Sequence, residues 1–192
     1  MNKLLERFVS KSQHPSIAPV YCVQGPGGMG KIVALKLMCR DQHVRNRYVD
    51  GIHWLSIGEH GRDSHIVSEI GRCAADAGHT ELEASLCDEE GVSKAVLTLF
   101  KIFKGKTVLF VLHGVWSDRK TFIRSFRELI GGGLTSSLLI STREETIGET
   151  ECHETVKFNF LEVQSNVSKQ ILTSSLNEQQ RADLEDWVRA DE

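Results

Sequence analysis

The sequence predicts an α/β fold with a mostly parallel, five-stranded sheet. Short apolar runs alternate along the chain with longer segments in which apolar residues recur at helical spacing. This alternation is typical of strands joined by crossover helices, which place the strands parallel. The run Val108–Leu112 is continuously apolar, which predicts a strand covered on both faces. A chain of 192 residues is sufficient for one such domain.

The five strands are predicted where apolar runs are bounded by turn-forming or polar residues. Val20–Val23 follows Pro19 and precedes a glycine-rich turn, and Gly51 and Gly58 enclose the second run. The predicted strands are 20–24, 51–58, 106–112, 138–141 and 156–160.

The helices are predicted from apolar residues at intervals of three and four. Ile66, Val67, Ile70 and Ala74 show this spacing clearly, whereas the segment that begins at Lys31 is apolar on most sides and suits a helix packed on the sheet. The predicted helices are 2–10, 31–40, 64–77, 91–103, 119–130, 163–174 and 177–189.

The remaining segments are polar and are predicted as connections. Residues 41–50 are charged and predict a solvated loop, and the acidic segment 81–90 predicts another. We therefore expect an N-terminal helix and connector at 1–18, a core at 19–162 and C-terminal helices at 163–192.

A glycine-rich turn with the sequence Gly-Pro-Gly-Gly-Met-Gly-Lys follows the first predicted strand and leads into a helix. This order is that of the phosphate-binding P-loop. Glycines let successive backbone N–H groups point into one concavity, and the helix N-terminus adds positive potential. The alternative is a glycine-rich turn of another kind. The candidate nucleotide-binding residues in this segment are Gly25, Gly27, Gly28, Met29, Gly30, Lys31, Ile32 and Val33.

The P-loop pattern is incomplete at its last position. A complete motif has Ser or Thr after the lysine, and its hydroxyl holds Mg²⁺. This chain has Ile32 there, which offers no ligand to a metal ion.

Composition and residue spacing argue against several other classes of protein. The net charge of −3 gives no basic field for nucleic acid. The five cysteines include no CxxC pair, and the eight histidines are scattered, so no zinc site is predicted. The N-terminus lacks the apolar core of a signal peptide, and no run approaches the roughly 20 apolar residues of a membrane span. The expected location is the cytoplasm, with no membrane association.

Three motifs in this order resemble the NB-ARC domain of STAND-class signalling ATPases, which occurs in plant disease-resistance proteins and apoptosis regulators. They are the P-loop, the strand that leads into His113-Gly114-Val115-Trp116, and the later strand that ends in Ser141-Thr142-Arg143. The resemblance covers roughly residues 18–175. It implies the three-layer P-loop NTPase fold, and the chain resembles a nucleotide-binding core cut from, or diverged from, a longer receptor.

The resemblance also implies roles for individual residues. Arg143 matches the family's arginine that senses the terminal phosphate, although a charged surface turn is the simpler alternative. His113 and Gly114 stand where the family has two Walker B acids, of which the first supports Mg²⁺ and the second activates water. His113 could contact water or a phosphate, or be a loop residue.

We therefore expect a switch module that binds ADP, or ATP, with weak or absent hydrolysis. No catalytic residue and no metal ligand is assigned, and a bound Mg²⁺ is doubtful on these residues. The alternative is a nucleotide-free pseudo-NTPase that acts as a protein-interaction scaffold. An active small P-loop enzyme is a third possibility, and the missing carboxylates argue against it. Expected partners are the nucleotide and other proteins or further copies of this chain.

Overall fold

The computed structural model describes residues 18–58, 62–80, 91–131 and 136–157. The chain divides into two compact units, Met1–Lys157 and Phe158–Glu192, and all described residues belong to the first. The helices predicted at 2–10, 163–174 and 177–189 and the loop predicted at 81–90 lie outside the described residues.

Five strands form one parallel sheet in the order β2-β3-β4-β1-β5. The strands are β1 Val20–Gln24, β2 Ile52–Ser56, β3 Leu109–Val115, β4 Ser137–Thr142 and β5 Glu154–Lys157. The helices are α1 Lys31–Arg40, α2 Gln42–Arg47, α3 Asp63–Asp76, α4 Gly91–Phe103, α5 Lys120–Gly131 and α6 Glu145–Thr150. The predicted α/β fold is confirmed, and the described sheet is parallel throughout.

One face of the sheet carries the main hydrophobic core. Alternate strand residues, including Leu55, Phe110 and Ile140, are fully buried there against α3, α4 and α5. The other strand residues point to the opposite face because side chains alternate along a strand. Leu35 of α1 and Tyr48 after α2 are buried outside the main core, as expected for helices covering that second face. The domain therefore has three layers.

β3 differs from its prediction in its limits. It begins at Leu109, three residues later than predicted, and continues through His113-Gly114 to Val115. Pairing with β4 continues across a bulge between His113 and Val115, so His113 and Gly114 are part of the strand. β3 lies inside the sheet, with β2 on one side and β4 on the other.

The prediction of a solvated loop at 41–50 is wrong over most of its length, because α2 occupies Gln42–Arg47. This helix has only one buried side chain, Val44, so it shows no apolar periodicity. An N-cap residue nevertheless marks the start of the helix: the Asp41 side chain accepts a hydrogen bond from the backbone N–H of His43 at 2.8 Å.

Two further differences lie near the end of the described chain. The fifth strand was predicted at 156–160, whereas β5 starts at Glu154 and residues 158–160 lie outside the described residues. α6 was not predicted, and it places a short helix directly after Arg143 and Glu144. Within the described ranges, no helix combines the length and apolar character needed to cross a membrane.

Candidate functional site

A cleft of about 420 Å³ lies where the carboxyl ends of β3 and β4 meet the start of α1. Ligands of parallel α/β sheets bind outside these strand ends. The residues that line the cleft are Gly27, Gly28, Met29, Gly30, Lys31, Ile32, Val33, Gly58, His113, Gly114, Trp116, Ser141, Thr142 and Arg143.

The structure brings together the site residues predicted from the sequence. Those from Gly27 to Val33 line the cleft with Arg143. Gly25 is not one of the lining residues, and its backbone N–H donates to the carbonyl of Thr142 at 3.2 Å. This bond joins the loop to the end of β4, next to Arg143.

The backbone of the loop requires glycine at two positions. Gly28 and Gly30 both have φ near 77°, a left-handed conformation that strains other residues. Gly30 caps α1 and its carbonyl accepts from the N–H of Ala34 at 3.0 Å. The first N–H groups of a helix have no partner within the helix, so those of α1 are available beside the cleft.

Lys31 is held against the loop that precedes it. Its side chain is buried, and Nζ donates to the carbonyl oxygens of Gly25 and Pro26, each at 2.5 Å. Burial, followed by the charge of Arg143, lowers the pKa of Lys31 below its ordinary value. An ammonium group has three donors, so one N–H remains for an anion in the cleft.

Arg143 lies against the glycine loop at Gly27. A Cβ added at Gly27 would be 3.2 Å from the guanidinium carbon of Arg143, so the absence of a side chain at this position permits the approach. The same carbon is 5.9 Å from the centre of the Trp116 ring, within cation–π range. The cleft is thus lined by two positive charges, from Lys31 and Arg143.

Among the described residues, no carboxylate lines the cleft where a metal ion would be held. Ile32 occupies the position of the P-loop hydroxyl, and His113 and Gly114 occupy those of the two acids. The acidic residue that follows Arg143, Glu144, makes a 3.2 Å hydrogen bond with the Ser117 hydroxyl instead. In the part of the chain that the structure describes, no three His, Cys, Asp or Glu residues are grouped to hold a metal. The donor set does not fit Mg²⁺, which prefers carboxylate and other oxygen ligands.

The backbone conformation at Gly114 also bears on the missing second acid. Its φ is 71°, and it lies at the β3 bulge. A Cβ here would be 3.4 Å from the backbone nitrogen of Gly58. A residue with a side chain is less stable than glycine at this φ, although aspartate tolerates it better than most, so the backbone of this segment favours glycine over the second acid.

His113 is half-buried, and its Nδ1 has no hydrogen-bond partner among the described residues. Burial lowers the pKa of His113 below its ordinary value, and the charges of Lys31, Arg143 and Lys36 lower it further. The imidazole is therefore neutral near pH 7, and it faces a cationic cleft.

Four lining residues are not among the predicted site residues: Gly58, and the motif residues Trp116, Ser141 and Thr142. Each lies at or just beyond the carboxyl end of a strand. Thr142 is occupied within the fold, since its hydroxyl donates to the Val115 carbonyl at 2.7 Å and accepts from the N–H of Glu144. That arrangement fixes the backbone on both sides of Arg143.

A second cleft, of about 590 Å³, lies on the face covered by α1 and α2. Its lining includes Lys36, Arg40, Arg45 and Trp54. It contains none of the P-loop glycines and no strand carboxyl end, so it has no backbone cradle for a phosphate. The smaller cleft is the candidate nucleotide site for this reason.

Comparisons with known proteins agree with this geometry. The NB-ARC domain profile matches residues 1–180. The disease resistance protein RGA4 of Solanum bulbocastanum is 26% identical over 132 residues, which make up 68% of this chain and 12% of that protein. The chain thus spans a small part of this relative's length.

Two solved structures align with this chain at low sequence identity. A chain in the structure of Drosophila ORC bound to GC-rich DNA and Cdc6 aligns with a TM-score of 0.50 and 10% identity, over 82% of this chain and 28% of that one. Rhizobiales Trip13 aligns with a TM-score of 0.48 and 14% identity, over 94% of this chain and 69% of that one. The similarity to the ORC chain concerns the fold alone.

The family match extends over most of the chain and includes both the glycine loop and the strand that ends at Arg143. The parallel sheet and the position of the loop at its carboxyl edge are those of a P-loop NTPase. The chain belongs to the NB-ARC domain family.

Proposed function

We propose that this chain binds ADP, or ATP, without requiring Mg²⁺, and hydrolyses ATP weakly or not at all. Membership of a P-loop NTPase family supports nucleotide binding in general. The observation that carries the finer proposal is the charge of the cleft: Lys31 and Arg143 both line it, and no carboxylate among the described residues does. These charges and the N–H groups of the loop recognise phosphate directly.

Hydrolysis needs groups that this cleft lacks. Phosphoryl transfer depends on positioning and on neutralising charge, and a metal ion usually supplies much of both. A residue that orients the attacking water is also required, but the position matching that role is Gly114, which has no side chain and whose positive φ favours glycine. ADP has no terminal γ-phosphate, so holding it requires less charge neutralisation than cleaving ATP.

The wider role that we propose is a nucleotide-dependent switch in cytoplasmic signalling. Similarity to a disease resistance protein supports a place in a defence response. In such a role the bound nucleotide would control contacts with partner proteins or with further copies of the chain.

Thermal unfolding in the presence of ADP and EDTA tests the proposal. A ligand that binds only the folded state stabilises it by about 2.7 kcal/mol at 100 times its Kd. For a domain of this size we expect the unfolding temperature to rise by several degrees, on the order of 2–4 °C per kcal/mol. Incubation with ATP and Mg²⁺ should release no more phosphate than the Lys31→Ala variant does.

The opposite results would identify a different function. No shift with ADP or ATP, together with no nucleotide in the purified protein, would contradict nucleotide binding and favour the scaffold alternative. Phosphate release well above the Lys31→Ala background would contradict the loss of hydrolysis.

A further inference from the structure

His113 is one of the residues that line the candidate nucleotide site. It is the fifth residue of β3, and its register partners are Ser56 on β2 and Ser141 on β4. Its side chain lines the cleft together with Lys31 and Arg143. By the sequence resemblance, the same position carries the first Walker B acid in relatives, so a neutral imidazole stands where a negative charge would support a metal ion.

Among the described residues, the charged groups that act on this imidazole are all positive. They are Lys31 and Lys36 of α1 and Arg143 of the segment after β4. No carboxylate lines the cleft on any of the described elements around it. Nδ1 is buried without a hydrogen-bond partner among the described residues, so a residue that lines an anion-attracting site has an unused polar atom.

We propose that His113 takes up a proton from solvent when the phosphates of a nucleotide enter the cleft, and that the imidazolium then supplies countercharge that a metal ion supplies in other P-loop proteins. This inference rests on the proposed nucleotide binding. Before the nucleotide binds, burial and then the charges of Lys31, Arg143 and Lys36 favour the neutral ring. Phosphate oxygens oppose these effects, because an anion close to a histidine favours its charged form.

The direction in which ADP affinity changes with pH follows from this proton uptake. The pKa of His113 lies below its ordinary value before phosphate binds, and bound phosphate raises it. Between the two pKa values, binding is coupled to proton uptake, and one proton makes affinity rise by up to about tenfold per pH unit of acidification. Above the higher pKa and below the lower one, His113 contributes no pH dependence.

Calorimetric titration with ADP in EDTA measures the proton uptake directly. Titrations at about pH 7, where a histidine can change its charge, are repeated in buffers of different ionisation enthalpy. We expect wild type to take up more protons per ADP than His113→Asn does. The terminal phosphate of ADP also titrates, with a pKa near 6, but that contribution is common to both proteins and cancels in the comparison.

His43→Asn is the matched control. His43 lies on α2 outside the cleft, its side chain is 77% exposed, and it pairs with Asp41 at 3.1 Å. This variant should bind ADP with the proton uptake of wild type. Equal uptake by wild type and His113→Asn, with both binding ADP, would overturn the inference and leave the proposed function intact. No binding by wild type would contradict both.

A second variant, His113→Asp, tests the charge at this position in the opposite sense. The carboxylate would repel the phosphates, so ADP affinity in EDTA should fall by about tenfold or more, in line with the cost of a like charge near a ligand. Millimolar Mg²⁺ should recover part of that loss, because a carboxylate at this position can support the metal. Affinity in EDTA equal to that of wild type would contradict a countercharge role for His113.

Discussion

Replacement of Phe110 by alanine is expected to lower the free energy of unfolding by about 3–5 kcal/mol. Phe110 lies on β3 and is 1% exposed. Its ring packs edge-to-face against Phe103 of α4 and Phe126 of α5, each with ring centres 5.3 Å apart. Alanine would remove both ring contacts and leave a cavity between the sheet and two helices, which close packing around β3 prevents from collapsing fully.

Urea denaturation of the purified variants measures this effect. Leu97→Ala is the control, because Leu97 lies on α4 but is 46% exposed, and surface substitutions usually change stability by about 0.5 kcal/mol or less. Phe110→Leu keeps part of the buried volume and should fall between wild type and Phe110→Ala. A Phe110→Ala variant as stable as Leu97→Ala would contradict the described core.

Replacement of Lys31 by alanine is expected to weaken ADP binding by about 10–100-fold. A hydrogen bond from a charged donor contributes roughly 1.5–3 kcal/mol, and each 1.4 kcal/mol corresponds to a tenfold change in Kd. The ammonium group is held by the carbonyls of Gly25 and Pro26 at the base of the cleft, so it is positioned before phosphate arrives. Calorimetric titration with ADP in EDTA gives the change in Kd.

The Lys31→Ala substitution should weaken ADP binding without destabilising the fold. Lys31 is buried and desolvated, so its removal relieves a cost that offsets the two lost hydrogen bonds, and the unfolding temperature without ADP should change little. Lys101→Ala, at an exposed position on α4, should match wild type in both measurements. Unchanged ADP affinity in Lys31→Ala would show that the glycine loop is not the phosphate site.

The sheet could be predicted from the sequence because interior parallel strands are buried on both faces and are therefore continuously apolar. β1 and β4 are buried at every position, and their runs are recognisable without a structure. The short helices could not be predicted in the same way. Val44 is the only buried residue of α2, so no apolar period identifies that helix.

The candidate site could be predicted only in part. The glycine loop is contiguous in the sequence, and its position between strand and helix identifies it. Gly58 and Trp116 come from loops after different strands, and their meeting depends on the strand order, which no local pattern encodes. The bulge at Gly114 could not be predicted either, because the sequence shows a missing acid but not the positive φ that favours glycine there.

The central claim, that the nucleotide is held by protein charges without a metal ion, is tested most directly by the Kd of ADP measured in EDTA and again in millimolar Mg²⁺. Because Lys31, Arg143 and His113 line the cleft and no carboxylate in the described part of the chain does, we predict that the two values agree within about threefold, or about 0.7 kcal/mol. A fall in affinity of about 100-fold or more on chelation would correspond to about 2.8 kcal/mol supplied by the metal. That result would contradict the account.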